Sequence, residues 1–315
     1  MNWITLLKTP GHINEAIIHF NQANDMLKRG VSMVEVSRSL FDALNKIQTE
    51  WLLHNDVQNK GEVKAFQRMI VNGIDPETYI EFLKSDEVNS VVEFAPNIMN
   101  HDTLRRHGYR PDIEIEPDLV RKASKEHHKV VTAYKDFLSR RDDQTIKRVL
   151  ARTAELLYVV RSNIAHGEKT PYGPDLKKRK RDQSVCETIV PLQRFLLNLL
   201  LDRPDRKLVA YGTLGPGKAN YDMLSGLQGA WEECVLNGRI DKSKGLLFFT
   251  WHPGGPTIDA QLFISPILPN NWVHLDRFEG DAYRRRLAPV KRSSGISIAS
   301  IYVAASNPEA TRWEH

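Results

Sequence analysis

The sequence predicts a multidomain α and β chain, an all-helical domain followed by a small β-rich one. Three observations predict it. The 315 residues suit two domains at roughly 150 residues each. Apolar residues recur with helical spacing through the first two hundred positions. Past the short polar linker Asp202-Arg-Pro-Asp-Arg206, glycines become frequent and short apolar runs replace the helical period. The boundaries fall at 1–203 for the helical domain and 207–315 for the β-rich one.

In the helical part, Ile13, Ala16, Ile17, Phe20 and Leu27 share one face of a first helix. Val36, Leu40, Leu44, Ile47, Trp51 and Leu52 do the same for a second. Gly30 and Gly61 stand where helix ends are expected. Asp75-Pro76 opens a short helix to Leu83, with Asp75 as N-cap and the proline in the first turn. The stretch from Asn89 to Pro117 holds three prolines and reads as looser, and Ile113-Glu-Ile115 alternates like a strand. Helical spacing resumes from Asp118 to Leu138 and from Gln144 to about His166. A last helix covers Val185 to Leu201, kinked or restarted near Pro191. Beyond the linker, Leu208–Tyr211, Gly245–Thr250, Ala260–Ile264 and Ile298–Ala304 read as strands with turn residues near their ends.

Composition narrows the function classes. The chain is 41% hydrophobic, 26% charged and 8% aromatic, as ordinary globular proteins are. Its longest strongly apolar run, Phe195–Leu201, falls far short of the ~20 residues of a membrane helix, so no membrane partner is expected. Lys8 and Pro10 interrupt any signal-peptide core. Cys186 and Cys234 are too few for a disulfide framework or a cysteine-rich zinc site. A reducing, cytoplasmic location follows as the expectation. His101, His127 and His128 lack metal-ligand spacing, and no cofactor is expected.

The net charge of +5 is spread thinly. Residues 207–315 carry 12 Lys and Arg against 10 Asp and Glu, and the remainder carries 32 against 29. Neither part is a basic module, so any nucleic-acid contact must come from a local patch. Leu176-Lys-Lys-Arg-Lys-Arg-Asp182 offers five consecutive cations, which read either as a phosphate patch or as a solvated basic loop. No aromatic platform is interleaved with them, so sequence-specific RNA reading is not supported.

Two motifs carry chemistry in the second domain. The first strand runs into Tyr211-Gly-Thr-Leu-Gly-Pro-Gly217. Its glycines permit close approach and positive φ, and successive N–H groups of such a turn can converge on an anion. A plain tight turn fits the same residues. The second motif is Leu275-Asp-Arg-Phe-Glu-Gly-Asp-Ala-Tyr-Arg284. Leu275, Phe278 and Glu279 fall at i, i+3 and i+4, placing the Glu279 carboxylate beside an apolar face, with Asp276 and Arg277 pointing outward. A carboxylate at an apolar edge has a raised pKa, which suits a general base. A surface glutamate capped by Gly280 is the plain alternative.

Together these motifs, with Gly226, Trp231 and a late strand containing Tyr302, resemble the gamma-glutamylcyclotransferase-like superfamily over about Lys207 to Ala305. The resemblance implies a small mixed β-barrel with one or two helices. It implies that the turn Tyr211, Gly212, Thr213 and Leu214 binds a substrate α-carboxylate through backbone N–H groups. It further implies that Glu279 is the catalytic acid/base and that Tyr283 lines the pocket. The implied reaction is a lyase-type cyclisation, in which the α-amine of a small gamma-glutamyl compound attacks its γ-carbonyl. The products are 5-oxoproline and a free amine. Gly215, the stretch Trp251–Asp259 and the lack of a glycine in Asp259-Ala-Gln261 depart from the family pattern.

In the first domain, Tyr158-Val-Val-Arg-Ser-Asn-Ile-Ala-His-Gly-Glu168 closes a strongly periodic helix. Arg161 and His166 are five residues apart, about 140° of rotation and ~7.5 Å of rise, so they do not share one face of a regular helix. The segment resembles the HEPN superfamily within residues 1–201, best from Asp118 onward. That resemblance implies a metal-independent ribonuclease acting as a homodimer through the helical domain. His166 would move a proton and Arg161 would hold the phosphate, with Asn163 orienting one of them or the phosphate. RNA is then a partner. A solvated arginine and a helix-capping histidine read equally well from the residues. Two further expectations stand beside the cyclisation. In one, the ribonuclease is a toxin or defence effector regulated by a non-catalytic sensor barrel. In the other, an interaction protein carries neither activity.

Overall fold

The computed structural model describes residues 2–56, 61–110, 114–165, 176–243 and 246–305. It has the two-part α and β architecture that the sequence predicts. The helices, in chain order, are α1 (Gly11–Lys28), α2 (Met33–His54), α3 (Glu62–Gly73), α4 (Tyr79–Leu83), α5 (Asp86–Val92), α6 (His101–Arg106), α7 (Pro117–Ala123), α8 (Lys125–Arg140), α9 (Asp143–Ala165), α10 (Leu176–Leu200), α11 (Asp222–Ser225) and α12 (Leu268–Glu279). The strands are β1 (Lys207–Ala210), β2 (Ala230–Ser243), β3 (Leu246–Trp251), β4 (Thr257–Ile264), β5 (Tyr283–Arg292) and β6 (Gly295–Ala304).

Contacts divide the chain into two compact units. One holds residues 22–200, and the other holds residues up to Asn21 and from Leu201 onward. In the helical unit, α10 packs on α2 and α5, and α9 on α3 and α8. Leu40, Leu44 and Ile47 of α2 and Ile189, Leu192 and Leu196 of α10 are all fully buried. One buried polar pair sits between these two helices. Ser37 donates its hydroxyl to Gln193 Oε1 at 2.9 Å, and Gln193 returns Nε2 to the Ser37 carbonyl at 3.1 Å. Each polar group satisfies the other, so their burial carries no unpaired cost.

Three expectations about the helices are corrected. The final helix begins at Leu176, not Val185, and runs unbroken through Pro191. The carbonyl that loses its partner belongs to Glu187, an exposed residue, so water can satisfy it. The basic run therefore lies on a helix, not a loop. Burial lowers the pKa of Arg181. Residues 114–116 form no strand, and Ile113 lies outside the described residues. The helical stretch expected from Asp118 to Leu138 is two helices, broken at Ser124.

The barrel follows from strand pairing. The order β3-β2-β4-β1-β6-β5 closes on itself because β2 also pairs β5, through Val235 and Lys291. Five strands make the ring, and β3 extends from the second half of β2. Among the described residues, only β1 and β6 run parallel; the other pairs are antiparallel. Alternation sorts the residues into two layers. Val209, Leu236, Phe249, Leu262, Val290 and Ile301 fill the interior. Leu208 and Phe263, on the opposite face, pack under Leu268, Trp272 and Leu275 of α12. With both faces covered, β1 is buried at all four positions.

The first twenty-one residues belong to this barrel unit, not to the helical domain of 1–203 expected from periodicity. The reason is local pairing. Asn21 donates Nδ2 to the Leu287 carbonyl at 3.1 Å, and Leu287 N–H donates to Asn21 Oδ1 at 2.9 Å. The side-chain amide thus acts as a short strand beside β5. Arg286 adds a bond to the Asn21 carbonyl at 2.9 Å. We expect Asn21→Ala to cost about 1–3 kcal/mol, since it leaves backbone groups of Leu287 without their partners. The urea midpoint of the barrel transition would read that loss, and an unchanged midpoint would show that the pairing contributes nothing.

Candidate active site

The two motifs of the barrel meet in one cavity of about 270 Å³. Its lining includes Tyr211, Gly212, Thr213 and Leu214 of the turn, Glu279 and Phe278 at the end of α12, and Tyr283 and Tyr302 on the last two strands. Strand β1 delivers the turn and α12 delivers the acid. Gly280 ends that helix with φ +63, a conformation that suits glycine, and the chain then enters β5 at Tyr283.

The turn is held open from behind. Asn220 donates its N–H to the Thr213 carbonyl at 2.9 Å and its Nδ2 to Thr213 Oγ1 at 2.8 Å. Among the described residues, the N–H groups of Gly212, Thr213 and Leu214 donate to no protein acceptor. They are available to an anion. Asn220 had no signal in the sequence, being a lone polar residue seven positions on. The expected conformational reason for the glycines holds only at Gly217, with φ +71; Gly212 and Gly215 are not left-handed. A methyl at Gly212 would meet Leu247 at an ordinary 3.6 Å.

Glu279 is half-buried and, among the described residues, makes no hydrogen bond or ion pair. Burial, and then the nearby Asp276 charge, push its pKa up to about 7. It therefore exchanges a proton near neutral pH. The cavity's three tyrosines are differently placed. Tyr211 donates its hydroxyl to the Tyr302 carbonyl at 2.8 Å, Tyr283 to the Leu247 carbonyl at 2.9 Å, and Tyr302 to Asp276 Oδ1 at 2.8 Å. Burial raises the pKa of each. With these hydroxyls engaged and kept neutral, Glu279 is the cavity side chain suited to move a proton.

Two orientations differ from the sequence reading. Phe278 does not share the buried stripe of Leu275; it is 41% exposed and stands among the cavity residues. Asp276 does not point outward into solvent. Arg285 binds it with two bonds, Nε to Oδ1 at 2.9 Å and Nη2 to Oδ2 at 3.0 Å. Arg285 comes from β5, a strand that periodicity did not reveal.

In the helical unit, Arg161 and Asn163 lie on the last turns of α9, and His166 lies outside the described residues. Arg161 stacks over the Tyr158 ring at 5.1 Å and reaches Glu62 at 3.4 Å. The Tyr158 hydroxyl donates to the same carboxylate. That hydrogen bond, followed by the Arg161 charge, holds Glu62 below the usual carboxylate range. Asn163 is buried at 3% exposure. It donates Nδ2 to the Met99 carbonyl at 3.2 Å and accepts the His101 N–H at 3.3 Å. Its amide fixes the entry to α6, and His166, one of the groups it was expected to orient, lies outside the described residues.

No family model and no curated protein matches the chain. Among solved structures, an uncharacterized protein from Pyrococcus horikoshii is 20% identical, with a TM-score of 0.26; the match covers 33% of this chain and 80% of that one. A solution structure from Arabidopsis thaliana is 23% identical, also with a TM-score of 0.26, covering 35% of this chain and 69% of that one. No helix among the described residues is long and apolar enough to cross a membrane.

Proposed function

We propose that the barrel is a gamma-glutamylcyclotransferase-like enzyme that releases 5-oxoproline from a gamma-glutamyl amine or peptide. The observation that carries this reading is one cavity shared by a carboxylate of raised pKa and a turn of N–H groups, neither of which has a hydrogen-bond partner among the described residues. The N–H groups of residues 212–214 hold the substrate α-carboxylate. The ammonium beside it gives a proton to Glu279, and the freed amine attacks the γ-carbonyl. A five-membered ring closes, and as the C–N bond breaks the departing nitrogen takes the proton held by Glu279 and the second proton shed by the ring nitrogen, leaving as an ammonium. No water is consumed, and substrate and products balance atom for atom. Holding the two ends of one molecule at attack distance contributes on the order of 7–11 kcal/mol to such a closure.

The direct test is to supply γ-glutamyl amines and dipeptides and to measure 5-oxoproline. Release by the wild-type protein is expected, and failure with every compound would overturn the reading. A base must begin ionised, so kcat/KM is expected to rise with pH through a midpoint near 7. A rate that is flat between pH 5.5 and 8 would remove Glu279 from the proton transfer.

A further inference from the structure

Resting on that reading, we infer that Asp276 is a positioning residue for Glu279, acting through Arg285 and Tyr302. The two acids are three apart on α12, so they share a face. Asp276 is gripped by the two Arg285 bonds and by the Tyr302 hydroxyl. The Arg285 guanidinium lies over the Trp272 ring, 4.2 Å from its centroid. Trp272 in turn donates Nε1 to the Asp205 carbonyl at 2.8 Å. The last turn of α12 is thereby pinned to β5 and β6 from one side.

The same network reaches the anion-binding turn. Tyr302 gives its hydroxyl to Asp276 and receives, at its carbonyl, the hydroxyl of Tyr211. Tyr211 is the first residue of the turn. One chain of hydrogen bonds therefore joins the group that would hold the substrate carboxylate to the helix end that carries the acid. Substrate seated on the turn and the acid above it share a common frame.

The residue types are specific to this task. Arg285 presents a planar fork that matches both oxygens of a carboxylate. Asparagine at 276 would offer one acceptor and turn its amide donors toward the fork. The pair also sets the charge beside Glu279. Among the described residues, the titratable groups coupled to it are Asp276 on α12, Tyr211 beside β1, Tyr283 on β5 and Tyr302 on β6. From β3, the cavity lining takes only Leu247.

The test uses opposite charge changes within one pair. Asp276→Asn removes a negative charge and leaves the Arg285 cation unpaired, so the Glu279 midpoint is expected to fall by half a pH unit or more. Arg285→Met leaves Asp276 uncompensated, so the midpoint is expected to rise. The double variant should return toward wild type. Titration of the ¹³C-labelled Glu279 carboxyl reads these shifts without turnover, and turnover profiles should follow, with kcat reduced more than KM is raised. A merely structural role would lower stability without moving the midpoint in opposite directions. If Asp276→Asn does not fold, Tyr302→Phe removes a single hydrogen bond to the same carboxylate and should still displace the midpoint. Unmoved midpoints in a protein that makes 5-oxoproline would overturn this inference alone. Moved midpoints in a protein that makes none would overturn the catalytic reading alone.

Discussion

Replacing Glu279 with glutamine is expected to cut 5-oxoproline release by a factor of about 10²–10⁴, the usual contribution of a positioned acid/base group. Glutamine keeps the size of the side chain and cannot take the ammonium proton. The same substitution should make the fold more stable at neutral and alkaline pH. The Glu279 pKa is about 7 in the folded chain and near 4.3 when unfolded. Between these values the folded state keeps a proton that the unfolded state has lost, so stability falls as pH rises through the window and levels off above it. Discounted for the partial exposure of the side chain, the difference is about 1–2 kcal/mol. Thermal melts of the two proteins should therefore coincide near pH 4 and separate by pH 8, with the glutamine variant higher. Loss of activity without this divergence would mean that the carboxylate is well solvated and that its pKa is not raised.

A second large effect is expected at Gly238. Strand β2 pairs with β4 up to Asn237 and with β3 from Gly238 onward. At that hand-over the backbone passes so close to its neighbour that a Cβ would stand 2.4 Å from the Thr250 carbonyl and 2.5 Å from the Phe249 ring. Phe249 is fully buried in the barrel interior, and the carbonyl belongs to β3, so neither can step aside. Gly238→Ala should cost about 3 kcal/mol or more, lowering the barrel's Tm by about 10 °C. Gly226→Ala is the matched control. Nothing lies within 4 Å of its added methyl, and its backbone is already helical, so a change within about 0.5 kcal/mol is expected. Equal behaviour of the two variants would show that the close approach is not a constraint.

Much of this was legible in residue order, and the gaps have physical causes. Long helices such as α2 and α9 announce themselves because one face is apolar for many turns. The strands β1 and β6 were legible because burial on both faces makes them nearly continuous apolar runs, and β4 was legible only in its second half, where Ala260, Leu262 and Phe263 are buried. Strands β2 and β5 were not. Trp231-Glu-Glu-Cys and Tyr283-Arg-Arg-Arg interrupt the apolar pattern with charged residues, yet Arg285 and Arg292 are paired to Asp276 and Glu232. An arginine that serves a cross-element ion pair looks like a surface residue until its partner is placed. Glu279 was legible because its motif is local, whereas Asp276, Tyr302 and Asn220 act across elements and depend on three-dimensional proximity. The role of Asn21 was hidden for the same reason, since its partner Leu287 lies 266 positions away.

The attachment of the first twenty-one residues to the barrel has a consequence during synthesis. At about 5–20 residues per second on the ribosome, the segment that docks on β5 and β6 leaves the tunnel tens of seconds before those strands exist. That segment stays unpartnered until β5 and β6 emerge, while the intervening helices have time to form. Any truncation that starts at residue 203 or 207 discards a part of the barrel that is encoded some 180 residues upstream of β1.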